Sequence, residues 1–132
     1  MKRIVLASTE TANNELLEFL DKLFTNVDGL AELEANVQVA ICETFNNAVV
    51  HGNKCDKNKN VTCTFDSTDS EFVFTIEDEG EGFVIENIPD PTLPENIEKT
   101  RGRGVFLTRN ISDKVEYLDR GRRVVIHFSR RK

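Results

Sequence analysis

Three short polar segments occur in a fixed order along this chain, at residues 43–52, 78–83 and 101–105. The first places the carboxylate of Glu43 and the amide of Asn47 one helical turn apart, within a helical pattern of apolar residues. The second follows a strand pattern and sets Asp78 beside two glycines. The third is a glycine turn that leads into another helical pattern. Their order constrains the fold more than any one segment does.

The length of 132 residues predicts a single domain, residues 1–132, that is large enough to bury an apolar core. No apolar run approaches the roughly 18 residues of a membrane span, so we expect no membrane partner. The N-terminal apolar stretch is too short for a signal peptide. Three cysteines without a close pair argue against disulfides or a zinc site, and they favour a reducing cytoplasm. The net charge of −6 excludes a general nucleic-acid binder, whose phosphate contacts need a positive face.

The apolar patterns predict an α+β fold, an antiparallel sheet covered on one face by helices. Alternating strand patterns cover residues 2–7, 61–65, 72–77, 114–118 and 122–128. Helical patterns run from Thr9 or Thr11 to about Phe24, from about 31 to 51, and from 104 to 111. Gly29 separates the first two. Residues 84–100 break both patterns and contain all three prolines, which is typical of a functional lid.

Glu43 and Asn47 share one edge of the second predicted helix and flank its apolar stripe. An amide oxygen is a suitable ligand for Mg²⁺, and a nearby carboxylate can accept a proton from an attacking hydroxyl. Two solvated polar residues have the same spacing, so the pair alone decides nothing.

Asp78 directly follows a strand pattern, and Gly80 and Gly82 come next. A carboxylate offers only acceptors, which suit the exocyclic amino group of adenine. Glycines let the backbone approach a base closely. Seen in isolation, the segment is equally typical of a tight turn.

Gly102 and Gly104 precede a helical pattern, so free backbone N–H groups and a positive helix end can face a phosphate. Arg101 and Arg103 add guanidinium groups that suit phosphate oxygens. The spacing is neither a Rossmann fingerprint nor a P-loop. All three segments together indicate a site for a magnesium-bound nucleoside triphosphate.

With these residues the chain resembles the GHKL (Bergerat-fold, histidine-kinase-like) ATPases, and within them the anti-sigma-factor serine/threonine kinases. The N-box of that group matches Glu43, Asn47, Ala48, His51 and Gly52. Its glycine boxes match Asp78, Gly80, Gly82 and Phe83, and then Gly102 and Gly104. Residues 102–117 are close to the anti-sigma kinase pattern, and the resemblance covers nearly the whole chain.

The resemblance implies a two-layer Bergerat fold with about three helices on one face of the sheet and an ATP lid at about residues 84–101. It implies that Glu43 is the catalytic base, Asn47 a Mg²⁺ ligand and Asp78 the residue that reads adenine, with ATP and Mg²⁺ as cofactors. The expected nucleotide-binding residues are Asn47, Asp78, Gly80, Gly82, Phe83, Arg101, Gly102, Arg103, Gly104 and Val105.

The resemblance also implies that the γ-phosphoryl group passes to a serine or threonine of a small antagonist protein of the anti-anti-sigma type. It further implies sequestration of a sigma factor and a homodimer. Three alternatives stay open: a related kinase without a sigma factor, a non-catalytic nucleotide-gated binding module, and a scaffold domain whose glycines only form turns.

The chain departs from the family pattern at two places. Thr44 replaces the alanine usual after the N-box glutamate, which is a minor change. Before the last strand, Gly121, Arg122 and Arg123 stand where the family often has Gly-Thr. We therefore expect a contact near the phosphates to be missing or moved.

Overall fold

The structure, a computed structural model, describes residues 1–9, 11–80 and 107–130. Within these residues, the two longer α-helices are α1 (Ala12–Asn26) and α2 (Glu34–Asn47). Its five strands are β1 (Lys2–Ala7), β2 (Asn60–Ser67), β3 (Glu71–Glu77), β4 (Lys114–Leu118) and β5 (Arg123–Ser129). Residues 107–111 are also helical.

The strands form one antiparallel sheet in the order β1-β2-β3-β5-β4. The C-terminal hairpin therefore lies beside β3, because β5 is inserted between β3 and β4. Ile76 of β3 pairs with Val124 of β5, which pairs with Tyr117 of β4. This row brings the end of β3 next to the turn between β4 and β5.

One face of the sheet is buried, because buried and half-buried residues alternate along β3 and β5. The aromatic rings of Phe65, Phe74 and Phe128 pack against each other, with centroids 5.0 and 6.1 Å apart. Leu16 and Leu20, one helical turn apart on α1, join the same core. The predicted fold class, an antiparallel sheet covered on one face by about three helices, is confirmed.

The second helix is not the continuous element from residue 31 to 51 that the pattern predicted. A 3₁₀ turn (Leu30–Leu33) precedes α2, and a π-helical turn (Ala48–Gly52) follows it. The apolar stripe fits the 3₁₀ turn, the α-helix and the π turn alike. Over a few residues, the spacing of apolar side chains does not distinguish the hydrogen-bonding patterns of these three helix types. The π turn widens the backbone where it meets the end of β3.

Two further predictions about the strands are confirmed. β1 has the predicted bounds, and the two predicted hairpins are present. All three cysteines are free, and Cys63 lies buried in β2. No helix in the described residues is long and apolar enough to cross a membrane. The predicted lid lies outside the described residues.

Candidate functional site

A small cleft lies between the C-terminal end of α2 and the β3-β5-β4 side of the sheet. The paired row of Ile76, Val124 and Tyr117 lies along it. The other lining residues are Thr44, Asn47, Ala48, Asp78, Thr108 and Gly121. The cleft therefore combines apolar side chains with an amide, a carboxylate and hydroxyl groups, a combination typical of small-molecule sites.

Two hydrogen bonds with backbone groups hold Asp78 at the end of β3, one made by its N–H and one by its carboxylate. Its own N–H donates to the carbonyl oxygen of Arg122 at 2.9 Å. Its Oδ1 accepts a hydrogen bond from the N–H of Gly80, also at 2.9 Å. The side chain is half-buried and borders the cleft, so its carboxylate lies in a partly dry environment.

The turn after Asp78 packs directly on the π turn that follows α2. A Cβ atom at Gly52 would overlap the Asp78 carboxylate, and one at Gly80 would overlap the carbonyl group of Gly52. Only glycine fits at these two positions without a shift of the backbone or of Asp78. This contact sets the distance between α2 and the end of β3, and hence the width of the cleft.

The structure brings Asn47 and Asp78 to the same cleft, but Glu43 lines a different cavity. This second cavity, of about 770 Å³, lies across α2 and is also lined by Asn13, Cys42, Asn46 and Val50, among others. Residues four apart on a helix differ by roughly 40° in direction. Glu43 and Asn47 thus stand on a ridge of α2, and each borders a cavity on its own side.

Comparison with known proteins fits this arrangement. The sequence profile described as "Histidine kinase-like ATPase domain" matches residues 5–128. The chain belongs to the histidine kinase-like ATPase family. An ATPase domain implies that the chain binds ATP, and the cleft bordered by Asn47 and Asp78 is the candidate place.

Two curated relatives give a narrower similarity. A protein named "Anti-sigma F factor" from Clostridium perfringens is 27% identical over 107 residues, which are 76% of this chain and 75% of the relative. A protein of the same name from another strain of that species is 29% identical over 94 residues, or 68% of this chain and 66% of the relative. The chain is thus similar to anti-sigma F factors.

The cleft residues that were not anticipated as site residues include Thr108, Tyr117 and Gly121. The guanidinium carbon of Arg109 lies 5.2 Å from the centroid of the Tyr117 ring, a cation–π contact that holds the ring in place. These residues reach the cleft only through the strand order. The one signal in the sequence was the turn predicted around Gly121.

Thr44, noted in the sequence only as a minor departure, is also part of the cleft wall. Its hydroxyl donates to the carbonyl oxygen of Ala40 at 2.8 Å within α2. This bond ties the hydroxyl to the backbone of its own helix.

The second departure from the family pattern has a structural role. Arg122 donates from Nη1 to the carbonyl oxygen of Gly80 at 3.4 Å, and its Nη2 lies 2.8 Å from Asp119 Oδ1. Arg123 instead pairs with Glu77 at 3.4 Å. Arg122 therefore ties the turn between β4 and β5 to the turn after Asp78.

The remaining predicted site residues lie outside the described part of the chain, namely Gly82, Phe83, Arg101, Gly102, Arg103, Gly104 and Val105. Within the described part, no group of three or more His, Cys, Asp or Glu side chains could hold a metal ion. A single amide such as that of Asn47 fits Mg²⁺, which usually takes one or two protein oxygens and completes its shell with phosphate and water.

The two cysteines nearest the core differ from ordinary thiols. Burial raises the pKa of Cys42, and the charge of Glu43 raises it further. Burial raises the pKa of Cys63 to about 12, with a smaller contribution from Cys42. Both thiols are therefore protonated at neutral pH and are poor nucleophiles.

Proposed function

We propose that this protein is an ATP-dependent serine/threonine protein kinase of the anti-sigma-factor type. It phosphorylates a small antagonist protein and sequesters a sigma factor. The observation that carries the proposal is the arrangement on α2: Asn47 borders the cleft that also holds Asp78, and Glu43 borders a larger cavity beside it. The similarity to proteins named anti-sigma F factor supports the choice of partners.

Asp78 would read adenine in this proposal. A carboxylate accepts but does not donate, so it accepts a hydrogen bond from the 6-amino group and repels a carbonyl at that position. Ala48, Ile76 and Val124 would contact the flat faces of the base, since they are the small and branched apolar residues of the cleft. The base would thus be selected at one edge and buried at its faces.

Asn47 would hold Mg²⁺ through its amide oxygen. When bound, the ion neutralises negative charge on the phosphate oxygens. Asn47 is part of the cleft wall, so its amide would lie beside a nucleotide bound there.

Glu43 would act on the acceptor. The hydroxyl oxygen of a serine or threonine forms a bond to the γ-phosphorus, and the bond from that phosphorus to the bridging oxygen of ADP breaks. The hydroxyl proton passes to the Glu43 carboxylate, and ADP leaves with the electron pair. Because Glu43 lines the second cavity, the acceptor segment would approach from that side of α2.

Transfer from radiolabelled ATP to small antagonist proteins of the same organism tests this proposal. Glu43→Gln should reduce the rate about 10²–10⁴-fold, as expected for loss of a general base, while ATP affinity stays within twofold. Glu34→Gln, at the exposed start of α2, is the matched control and should transfer normally. Full transfer by Glu43→Gln would exclude the base role.

One observation favours a second candidate, a non-catalytic module that binds partners according to its bound nucleotide. Glu43 does not line the cleft that contains Asn47 and Asp78. This alternative expects ATP binding without transfer, even with the physiological antagonist present. A related kinase without a sigma factor would transfer phosphate but would not retain a sigma factor in a pull-down.

The proposal includes two further features: a homodimer, which the resemblance implies, and a cytoplasmic location, which the unpaired cysteines favour. Sedimentation of the purified protein tests the first, and fractionation of cells tests the second.

A further inference from the structure

We propose that Asn53 is a positioning residue for nucleotide selection, which acts by fixing the backbone next to Asp78. This inference deepens the proposed function and rests on it, since it assumes that Asp78 reads the base. Asn53 follows the π turn and lies outside both cavities, so a role for it does not follow from the cleft itself.

The Asn53 side chain is almost fully buried, with 1% of its surface exposed, and it makes three hydrogen bonds. Its Oδ1 accepts from the N–H of Glu79 at 2.8 Å. Its Nδ2 donates to Ser8 Oγ at 2.8 Å and to the carbonyl oxygen of Asn60 at 3.0 Å. These partners belong to three separate segments: the end of β1, the start of β2 and the turn after β3.

The bond to Glu79 is the one that concerns the site. The peptide group that bears the Glu79 N–H also carries the carbonyl of Asp78, so Asn53 holds the residue that follows the carboxylate. On the other side, the Asp78 N–H is held by the carbonyl of Arg122. The peptide group before Asp78 is therefore held by the turn between β4 and β5, and the peptide group after it is held by Asn53.

Close packing makes the position of the Asp78 carboxylate sensitive to small shifts of the neighbouring backbone. The Asp78 carboxylate rests against Gly52, and Gly80 rests against the Gly52 carbonyl. Asn53 adjoins Gly52, and its own N–H donates to the carbonyl of Ala48 at 2.8 Å across the π turn. The π turn and the Asn53 amide thus form one unit that supports the turn after Asp78.

The chemistry requires an amide at position 53. The N–H of Glu79 needs an acceptor, and the Asn60 carbonyl needs a donor. A carboxylate would supply only acceptors and would face the Asn60 carbonyl, whereas an apolar residue would leave these groups unpaired. Ser8 extends the network, because its hydroxyl donates to the Lys59 carbonyl at 2.6 Å.

The experiment compares dissociation constants for ATP and inosine triphosphate, which carries a carbonyl where adenine has its amino group. The wild type should prefer ATP at least tenfold, and Asp78→Asn should abolish that preference. Asn53→Ala should weaken ATP binding about tenfold but change binding of inosine triphosphate less than threefold. Its preference for ATP should therefore largely disappear.

Two matched variants separate positioning from general destabilisation. Ser8→Ala removes a different contact of the same Asn53 side chain and should lower the melting temperature without changing the ATP preference. Asn58→Ala, in the exposed loop before β2, should change neither quantity. If Asn53→Ala does not fold, Asn53→Ser replaces it, since its hydroxyl fits the buried site but is too short to reach Glu79.

The outcomes distinguish this inference from the function on which it rests. If the wild type does not prefer ATP, or Asp78→Asn keeps the preference, adenine reading by Asp78 is wrong. If Asp78→Asn loses the preference but the folded Asn53 variant keeps it, the positioning role is wrong. Equal weakening of both nucleotides by the Asn53 variant would also overturn it, because a purely structural residue acts in that way.

Discussion

Gly52 determines where the Asp78 carboxylate can lie, because the two are in direct contact across the cleft wall. A side chain at position 52 would occupy the space of that carboxylate. The backbone there is part of the π turn, so it has little freedom to move away. The absence of a side chain at Gly52 therefore leaves the space that the Asp78 carboxylate occupies.

Gly52→Ala should therefore weaken ATP binding at least tenfold and destabilise the fold by about 1–3 kcal/mol, a usual cost of overpacking. Urea unfolding and a nucleotide titration measure the two effects. Where a glycine has free space, alanine instead stabilises by about 0.4–1 kcal/mol. A more stable Gly52→Ala variant with unchanged ATP affinity would contradict the close contact.

The Cys63 thiol should make stability depend on pH in alkaline solution. Its pKa is raised from 9.0 to about 12 in the folded protein, so the folded state holds the proton more tightly. The stabilising contribution is complete below pH 9.0 and decreases as the pH rises from 9.0 toward 12, because the unfolded chain loses the proton first.

Urea unfolding of the wild type and of Cys63→Ala between pH 8 and pH 10.5 isolates this contribution. The stability difference between the two proteins should shrink steadily above pH 9.0. A constant difference would show that the thiol ionises equally in both states.

Among the secondary-structure elements, α2 and its π-helical extension contribute Thr44, Asn47 and Ala48 to the cleft. The sequence predicted Asn47 and Asp78 as site residues because their types and spacing suit nucleotide binding, and both line the same cleft. It could not show that Glu43 faces another cavity, since Glu43 and Asn47 lie on the same helix edge by spacing alone. Nor could it reveal the π turn, whose contacts with Gly80 depend on a residue far along the chain.

Val50 tests the proposed approach of the acceptor, because it borders the second cavity and is 41% exposed. Val50→Asp should raise the KM for the antagonist protein about tenfold while ATP affinity changes less than twofold. A charge disfavours docking of an apolar protein surface but does not touch the nucleotide cleft.

Val39→Asp is the matched control, since Val39 lies on α2, is 44% exposed and lines neither cavity. It should leave both constants unchanged. Equal effects of the two substitutions would show that the second cavity has no particular role in substrate binding.

At the level of the whole molecule, the fold class followed from the sequence because alternation and helical spacing report directly on which face is buried. The strand order did not, and it is the order that brings Thr108, Tyr117 and Gly121 to the cleft. Those residues are chemically ordinary, so no local pattern marks them. Their role depends on β5 lying between β3 and β4.

The same sheet depends on its aromatic core. Phe74 is fully buried between Phe65 and Phe128. Phe74→Ala should destabilise the protein by about 3–5 kcal/mol, whereas Phe74→Leu, which retains more volume, should cost less. Chemical denaturation of both variants checks the order, and an equal or smaller loss in Phe74→Ala would place Phe74 outside the core.

The central claim is that an adenine nucleotide binds between Asn47 and Asp78 with the help of Mg²⁺. The most direct measurement is thermal unfolding with ATP or ADP, with and without Mg²⁺, for the wild type, Asp78→Asn and the neighbouring control Glu79→Gln.

Nucleotide at 100 times its dissociation constant should stabilise the wild type by about 2.7 kcal/mol. That corresponds to a rise in melting temperature on the order of 5–15 °C. We predict a Mg²⁺-dependent rise for the wild type and Glu79→Gln and little or none for Asp78→Asn. An unchanged melting temperature of the wild type at millimolar nucleotide, or an equal rise in Asp78→Asn, would contradict the claim.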